Sequence, residues 1–227
     1  MKAVIFDFSG TLFHCDDTEN WLRDALADGG IEATAEEIAH YAKRLLESGG
    51  QPGSYSGDIP LPDHLRPLWQ RRDLDPAAHR AVYIELMRAA GLPWPGIEDR
   101  LYDRHWRPES WLPYPDTGQA LETLKRRATP VAVLSNIPHD IRPVFRHYRI
   151  DSLVTGYVLS YEEGVKKPDP EIFRRACDLL GHDPGDVLMI GDNVSDDGGA
   201  TSIGCEFRVV AHLPVTERPN ALLEAIA

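Results

Sequence analysis

The sequence predicts an α/β fold: a doubly wound parallel sheet with an all-helical module inserted into it. Three observations carry that prediction. Four short apolar runs, AVIF (3–6), VAVLS (131–135), DVLMIG (186–191) and FRVV (207–210), are continuous rather than alternating, as in strands buried on both faces. Helix-period segments separate the last three runs, so strand and helix alternate. The stretch 14–113 holds helix patterns and no convincing strand.

Taken in order, the first run ends in Asp7, and Ser9 follows at the next position on the same face. Helix patterns come next at 18–29, 35–48, 75–91 and 97–107. Between them, GGQPGSYSGDIPLPDH (49–64) is a loop by its Gly, Pro and Ser content. TGQALETLKRR (117–127) follows Asp116, a capping residue type. LVTGYVLS (153–160) is a weaker fifth strand. DPEIFRRACDLLG (169–181) opens on Asp-Pro and closes on Gly181, and VSDDGGATSIG (194–204) reads as a further helix ending in Gly204. The core is therefore assigned to 1–14 and 113–227, and the helical module to 15–112.

Composition narrows the function. Lys and Arg total 24 against 36 Asp and Glu, a formal net charge of −12. So acidic a surface disfavours nucleic acid but not a small anionic substrate held in one locally positive pocket. The three cysteines, Cys15, Cys177 and Cys205, form neither a disulfide framework nor a metal-knuckle pattern. The first residues enter a strand at once, and no apolar run approaches the ~18 residues of a membrane span. A cytoplasmic protein without a membrane partner is expected, as monomer or homodimer.

Parallel α/β sheets bind ligands beyond the carboxyl ends of their strands. The strand ends here supply Asp7, Ser9 and Thr11, then Ser135 and Asn136, then Lys166 to Asp169, then Asp192, Asn193, Asp196 and Asp197. Carboxylate oxygens suit Mg²⁺, which binds one or two carboxylates together with phosphate oxygens. Lysine and hydroxyl groups suit the remaining phosphate oxygens, and a strand-end carboxylate can act as a nucleophile.

The ordered motifs DFSGTL (7–12), LSN (134–136), KKPDPEIF (166–173) and GDNVSDDGGA (191–200) resemble those of the haloacid dehalogenase (HAD) superfamily. The resemblance implies a Rossmann-like core with a helical cap inserted after the first motif, and a hydrolase acting on a small phosphorylated metabolite. It implies that Asp7 is the nucleophile, and that Asp7, Asp192, Asp197 and the backbone carbonyl of Ser9 hold Mg²⁺. It assigns Thr11, Ser135 and Asn136 to the phosphoryl group and Lys167 to charge neutralisation. Asp196 is an alternative to Asp197, Lys166 a surface neighbour, and Asp169 a helix cap.

Ser9 departs from the pattern. The superfamily's phosphatases usually carry there a second aspartate that protonates the leaving group and activates water. Such acid–base help is worth about 10²–10⁴-fold, and a serine hydroxyl supplies little of it. His14 or His105 are candidate substitutes. Three outcomes follow: a phosphatase for substrates with good leaving groups; C–P cleavage like that of phosphonoacetaldehyde hydrolases, with Lys43, the one lysine of the cap, forming a Schiff base; or a catalytically weak binding protein. Haloacid dehalogenases also lack the second aspartate, but their usual residue there is aromatic and they need no metal, so the acids of GDNVSDD argue against dehalogenation. The cap would select the substrate, with Arg23, Arg71, Arg72, Tyr83, Arg104, His105 and Trp106 as candidate contacts. Loop 49–57 either lies over the site or is a connector. Trp106 and Trp111 read as buried hinge packing.

Overall fold

The computed structural model describes residues 2–54 and 61–227; part of the 49–57 loop therefore lies outside the described residues. In chain order, β1 (Ala3–Phe6) and β2 (Phe13–Cys15) lead into helices α1 (Thr18–Asp28), α2 (Ala35–Ser48), α3 (Arg66–Arg71), α4 (Pro76–Ala89) and α5 (Ile97–His105). Then follow β3 (Trp111–Pro113), α6 (Thr117–Arg126), β4 (Val131–Ser135), α7 (Arg142–His147), β5 (Gly156–Leu159), α8 (Ser160–Glu163), α9 (Pro170–Leu180), β6 (Val187–Gly191), β7 (Glu206–Val209) and α10 (Ala221–Ala225). The chain divides into two units, Met1–His14 with Leu112–Ala227, and Cys15–Trp111.

The first unit is built on a five-stranded sheet in the order β5-β4-β1-β6-β7, with every pairing parallel. β1 is central. Val4 is in register with Val131 on one side and Leu188 on the other. β1, β4 and β6 are buried along their whole length, which is why their sequences are apolar without alternation. One face carries Ala3, Ile5, Leu134 and Met189 against α9, whose Ile172, Phe173, Ala176, Cys177 and Leu180 recur at helical spacing. Asp169 caps α9 by accepting from the Glu171 N–H at 2.9 Å, and Gly181 ends it at φ 68°. Burial of the Phe173 side chain alone contributes about 1.5–3 kcal/mol. Phe8, Phe13 and Phe145 form a separate aromatic cluster, with centroids 5.1–6.0 Å apart.

The second unit is helical. Trp21, Leu22, Leu45, Met87 and Leu101 are fully buried in its core. The Trp21 indole donates to the Leu101 carbonyl at 3.2 Å and ties α1 to α5. Thr34 and Glu37 form a reciprocal capping box at the start of α2.

Three expectations are corrected. The interval 14–113 was expected to be strand-free, yet Phe13–Cys15 and Trp111–Pro113 pair as a two-stranded ribbon, too short to give a periodic signal. The expected strand 153–160 begins only at Gly156, after a 3₁₀ turn at Asp151–Leu153. The last expected helix, 194–204, is 3₁₀ over Asp197–Ile203, where two glycines, Thr201 and Ser202 weaken α-helix formation.

Candidate active site

The carboxyl ends of β1, β4 and β6 gather the polar side chains. Asp7 is the residue after β1, and its N–H donates to the Ile190 carbonyl of β6 at 2.9 Å. Its carboxylate is buried, and its Oδ1 accepts from Lys167 Nζ at 2.6 Å. The same Nζ donates to Asp197 Oδ1 at 2.5 Å and to the Leu134 carbonyl at 3.3 Å. One ammonium thus joins the ends of β1 and β4 to the turn after β6.

The fourth motif presents its two acids differently. Asp192 is half-buried; its Oδ1 accepts from the Thr11 hydroxyl at 3.4 Å. Its Oδ2 lies 3.1 Å from His212 Nδ1. Asp197 is fully buried, and its second oxygen accepts from the Asn193 N–H at 2.9 Å. Asp196 lies outside this cluster, with its carboxylate beside Asn193 Nδ2 at 3.4 Å. Glycine is needed at position 191 because a Cβ there would lie 2.1 Å from Asp197 Oδ2. At Gly10, φ is +83° and a Cβ would lie 2.4 Å from Asp192 Oδ2.

One oxygen each of Asp7, Asp192 and Asp197 lies within 4.8 Å of the others, a group that could hold a metal ion. The donor set fits a hard divalent cation: every ligand is a carboxylate oxygen, and three acids face one ammonium. Burial pushes the Asp7 carboxyl up to about 8 against the pull of Lys167, with Asp197 and Asp192 raising it further. Burial works against the Lys167 charge, but Asp197 and Asp7 hold its pKa above the ordinary lysine value.

Ser135 and Thr11 are buried, and Ser9 is half-buried, with its backbone bridged to Phe13. Asn136, expected at a phosphoryl group, has both ends of its amide on the Lys167 main chain: Nδ2 donates to the carbonyl at 2.9 Å and Oδ1 accepts from the N–H at 2.7 Å. This clamp aims the Lys167 side chain. Two side chains of the edge carried no sequence signal. His212 and Arg218 lie in AHLPVTERPN, which reads only as loop, and the Arg218 guanidinium donates to the Gly10 and Thr11 carbonyls.

In the helical unit, the Lys43 side chain is 78% exposed and pairs with Glu47 at 3.8 Å. Schiff-base chemistry calls for a desolvated lysine instead. His105 is buried among Trp21, Trp106 and Trp111. Arg104 is held by Asp24 and Asp28, and Arg71 by Asp75. The RRD turn (71–73) is less open than its composition suggests: Arg72 stacks on Trp69 at 3.9 Å and Asp73 is buried. Among the described residues, no helix is long and apolar enough to cross a membrane.

A family model for haloacid dehalogenase-like hydrolases matches residues 1–204. (S)-2-Haloacid dehalogenase 4A of Burkholderia cepacia is 29% identical over 207 residues, 90% of this chain and 80% of that protein. A phosphoglycolate phosphatase of Haemophilus influenzae (strain 86-028NP) is 30% identical over 110 residues, 46% of this chain and 49% of its own. Among solved structures, L-2-haloacid dehalogenase from Xanthobacter autotrophicus with chloropropionic acid covalently bound has a TM-score of 0.62 at 22% identity, covering 99% of this chain and 83% of that chain. A HAD phosphatase from Thermococcus onnurineus has a TM-score of 0.57 at 22% identity, covering 92% of this chain and 86% of that one. At such identities these two structures speak for the fold alone.

Proposed function

The chain belongs to the haloacid dehalogenase-like hydrolases, and on that premise we propose that it hydrolyses small phosphate monoesters through an aspartyl-phosphate on Asp7. The observation that carries this reading is the three-acid cluster of Asp7, Asp192 and Asp197 with Lys167 bonded to two of its members. Attack on carbon needs one carboxylate. Three would repel a phosphoryl group by themselves, and they suit one through the divalent cation that their oxygens could hold, which would offset the charge of both.

Asp7, Asp192, Asp197 and the Ser9 carbonyl are the groups that would hold Mg²⁺, which when bound supplies positive charge for the phosphoryl oxygens. Lys167 fixes Asp7 Oδ1 and offsets its charge. The other carboxylate oxygen attacks phosphorus, the bond to the leaving oxygen breaks, and the electron pair departs with the alcohol fragment. Water then attacks the phosphorus of the aspartyl-phosphate, releasing phosphate and restoring the carboxylate. Ser9 supplies no acid for the first step, so substrates whose leaving groups need none, aryl and acyl phosphates, turn over best. The substrate class is a small phosphorylated metabolite in the cytoplasm, with no nucleic acid or membrane partner.

One observation favours a second reading. The Burkholderia cepacia relative that spans most of the chain is named a 2-haloacid dehalogenase. In that reading Asp7 attacks the halogen-bearing carbon and halide leaves. A single assay separates the two: purified protein with phosphate esters and with 2-haloacids, each with Mg²⁺ or with EDTA, reading phosphate and halide release and using Asp7→Asn as control. Metal-dependent phosphate release lost in Asp7→Asn supports phosphatase action. Halide release that survives EDTA would replace it with dehalogenation.

A further inference from the structure

The family match ends at residue 204, yet the chain beyond it returns to the catalytic edge. Arg218 is the return point. Its side chain is 2% exposed, and it donates at 2.5 Å to the Gly10 carbonyl and at 2.5 Å to the Thr11 carbonyl. Its guanidinium carbon lies 3.7 Å from the centroid of the Tyr114 ring. Burying a guanidinium is costly unless its protons are well placed; here Nη1 and Nη2 each reach one of two successive peptide oxygens, while the buried Nε has no hydrogen-bond partner among the described residues.

Those oxygens belong to the tight loop between Asp7 and β2. Gly10 N–H donates back to Phe13 at 2.7 Å, and Leu12 N–H to Phe8 at 3.0 Å. The loop's internal bonds thus use the N–H groups of Gly10 and Leu12, while Arg218 takes the carbonyls of Gly10 and Thr11. The Thr11 side chain meets Asp192, and Ser9 is the next residue before Gly10. A second contact from the same segment, His212 with Asp192, touches the same edge.

We propose that Arg218 is a positioning residue: its two-pronged grip on the Gly10 and Thr11 carbonyls sets the loop that carries Ser9 and Thr11 relative to Asp7 and Asp192. The proposal rests on the reading that this edge is catalytic, but not on which substrate is cleaved. Arginine is required because its fork spans two carbonyls while one planar face packs on Tyr114. A lysine ammonium is a point charge and meets one carbonyl at a time.

The test compares wild type, Arg218→Lys and Arg218→Ala in the full chain. In Arg218→Ala, kcat falls about 10²-fold, the penalty of a misplacement of about 1 Å, while KM changes by less than kcat does, since Arg218 acts through the loop and the other phosphoryl contacts stay in place. Millimolar methylguanidinium restores part of that kcat at a temperature where Arg218→Ala is fully folded, which a role in global stability alone would not do. Deuterium uptake by peptides covering 9–14 rises in Arg218→Ala and lies between the two in Arg218→Lys. Wild-type kcat, or uptake over 9–14 unchanged in both variants, overturns the proposal. Should Arg218→Ala fail to fold, Arg218→Lys decides by the same two readouts. Should wild type release neither phosphate nor halide, the functional reading fails, and the exchange measurement alone still decides the positioning role.

Discussion

Replacing Lys167 with methionine tests the electrostatics of the site most directly. Methionine keeps much of the stem volume and removes the charge. The ammonium lies 2.6 Å from Asp7 and 2.5 Å from Asp197, with the lysine side chain 3% exposed. Without it, Asp197 is left a buried carboxylate with no cation beside it, and Asp7, which burial already pushes up to about 8, loses the ammonium that favours its charged form, with Asp192 close by. Removing one partner of a buried pair costs about 3–5 kcal/mol, against about 0–1 kcal/mol for an exposed one. With a urea dependence of about 2 kcal/mol/M, the unfolding midpoint falls by about 2 M. The assay is urea unfolding at neutral pH in EDTA, for wild type, Lys167→Met, Asp197→Asn and the double variant. Because the double variant carries one less uncompensated charge, it is more stable than the sum of the single costs predicts, by about 1 kcal/mol or more. A midpoint shift for Lys167→Met below about 0.5 M, or strict additivity in the cycle, refutes the reasoning.

Other perturbations probe separate parts of the molecule. Ser9→Asp supplies the missing acid and raises kcat on alkyl phosphates by about 10²–10⁴-fold, with little change on aryl phosphates; an equal change on both would show that proton transfer to the leaving group is not limiting. In Gly191→Ala, the new Cβ meets Asp197 Oδ2 at 2.1 Å and Asp197 Cβ at 2.7 Å, so turnover falls about 10²-fold; wild-type kinetics would mean that Asp197 can move without consequence. Asp116 Oδ2 accepts from the Leu222 and Leu223 N–H groups at 2.8 and 3.1 Å, so Asp116→Ala strands two donors at about 1–3 kcal/mol each, seen as faster exchange in residues 220–226. Leu101→Ala opens a cavity in the helical unit and costs about 2–5 kcal/mol, measured by thermal unfolding.

Much of the candidate site was legible because a parallel sheet concentrates its chemistry at strand ends. The apolar runs located β1, β4 and β6, and the next polar residues, Asp7, Ser135 and Asp192, fall at one edge. Asp197 was separable from Asp196 through its place before the Gly-Gly-Ala run, and the structure buries it against Lys167. Asp169, read as a helix cap, caps α9. The partners of these groups were not legible. Nothing in LSN indicates that the Asn136 amide faces the Lys167 main chain, because that pairing joins two loops brought together only by the fold. His212 and Arg218 were missed for the same reason: a loop sequence has no periodicity to reveal its orientation. The ribbon strands and the six-residue helices Arg66–Arg71 and Arg142–His147 are shorter than a pattern needs to repeat.

The central place of β1 in the sheet also sets the timetable of synthesis. On the ribosome this strand emerges before the other strands of its sheet, and its two neighbours are at Val131–Ser135 and Val187–Gly191. At about 5–20 residues per second, the second neighbour is made about 10–40 s after the first strand. Until Val131–Ser135 is made the nascent chain carries AVIF followed by DF with no strand to pair with, and until Val187–Gly191 is made one of its edges stays open, while the helices of Cys15–Trp111, whose contacts are closer in sequence, can already associate. The strand that leads into Asp7 thus keeps an edge open to chaperones and to mispairing for most of the synthesis of its sheet, and a release-stalled fragment ending before residue 187 holds Asp7 without the β6 strand whose Ile190 carbonyl accepts its N–H.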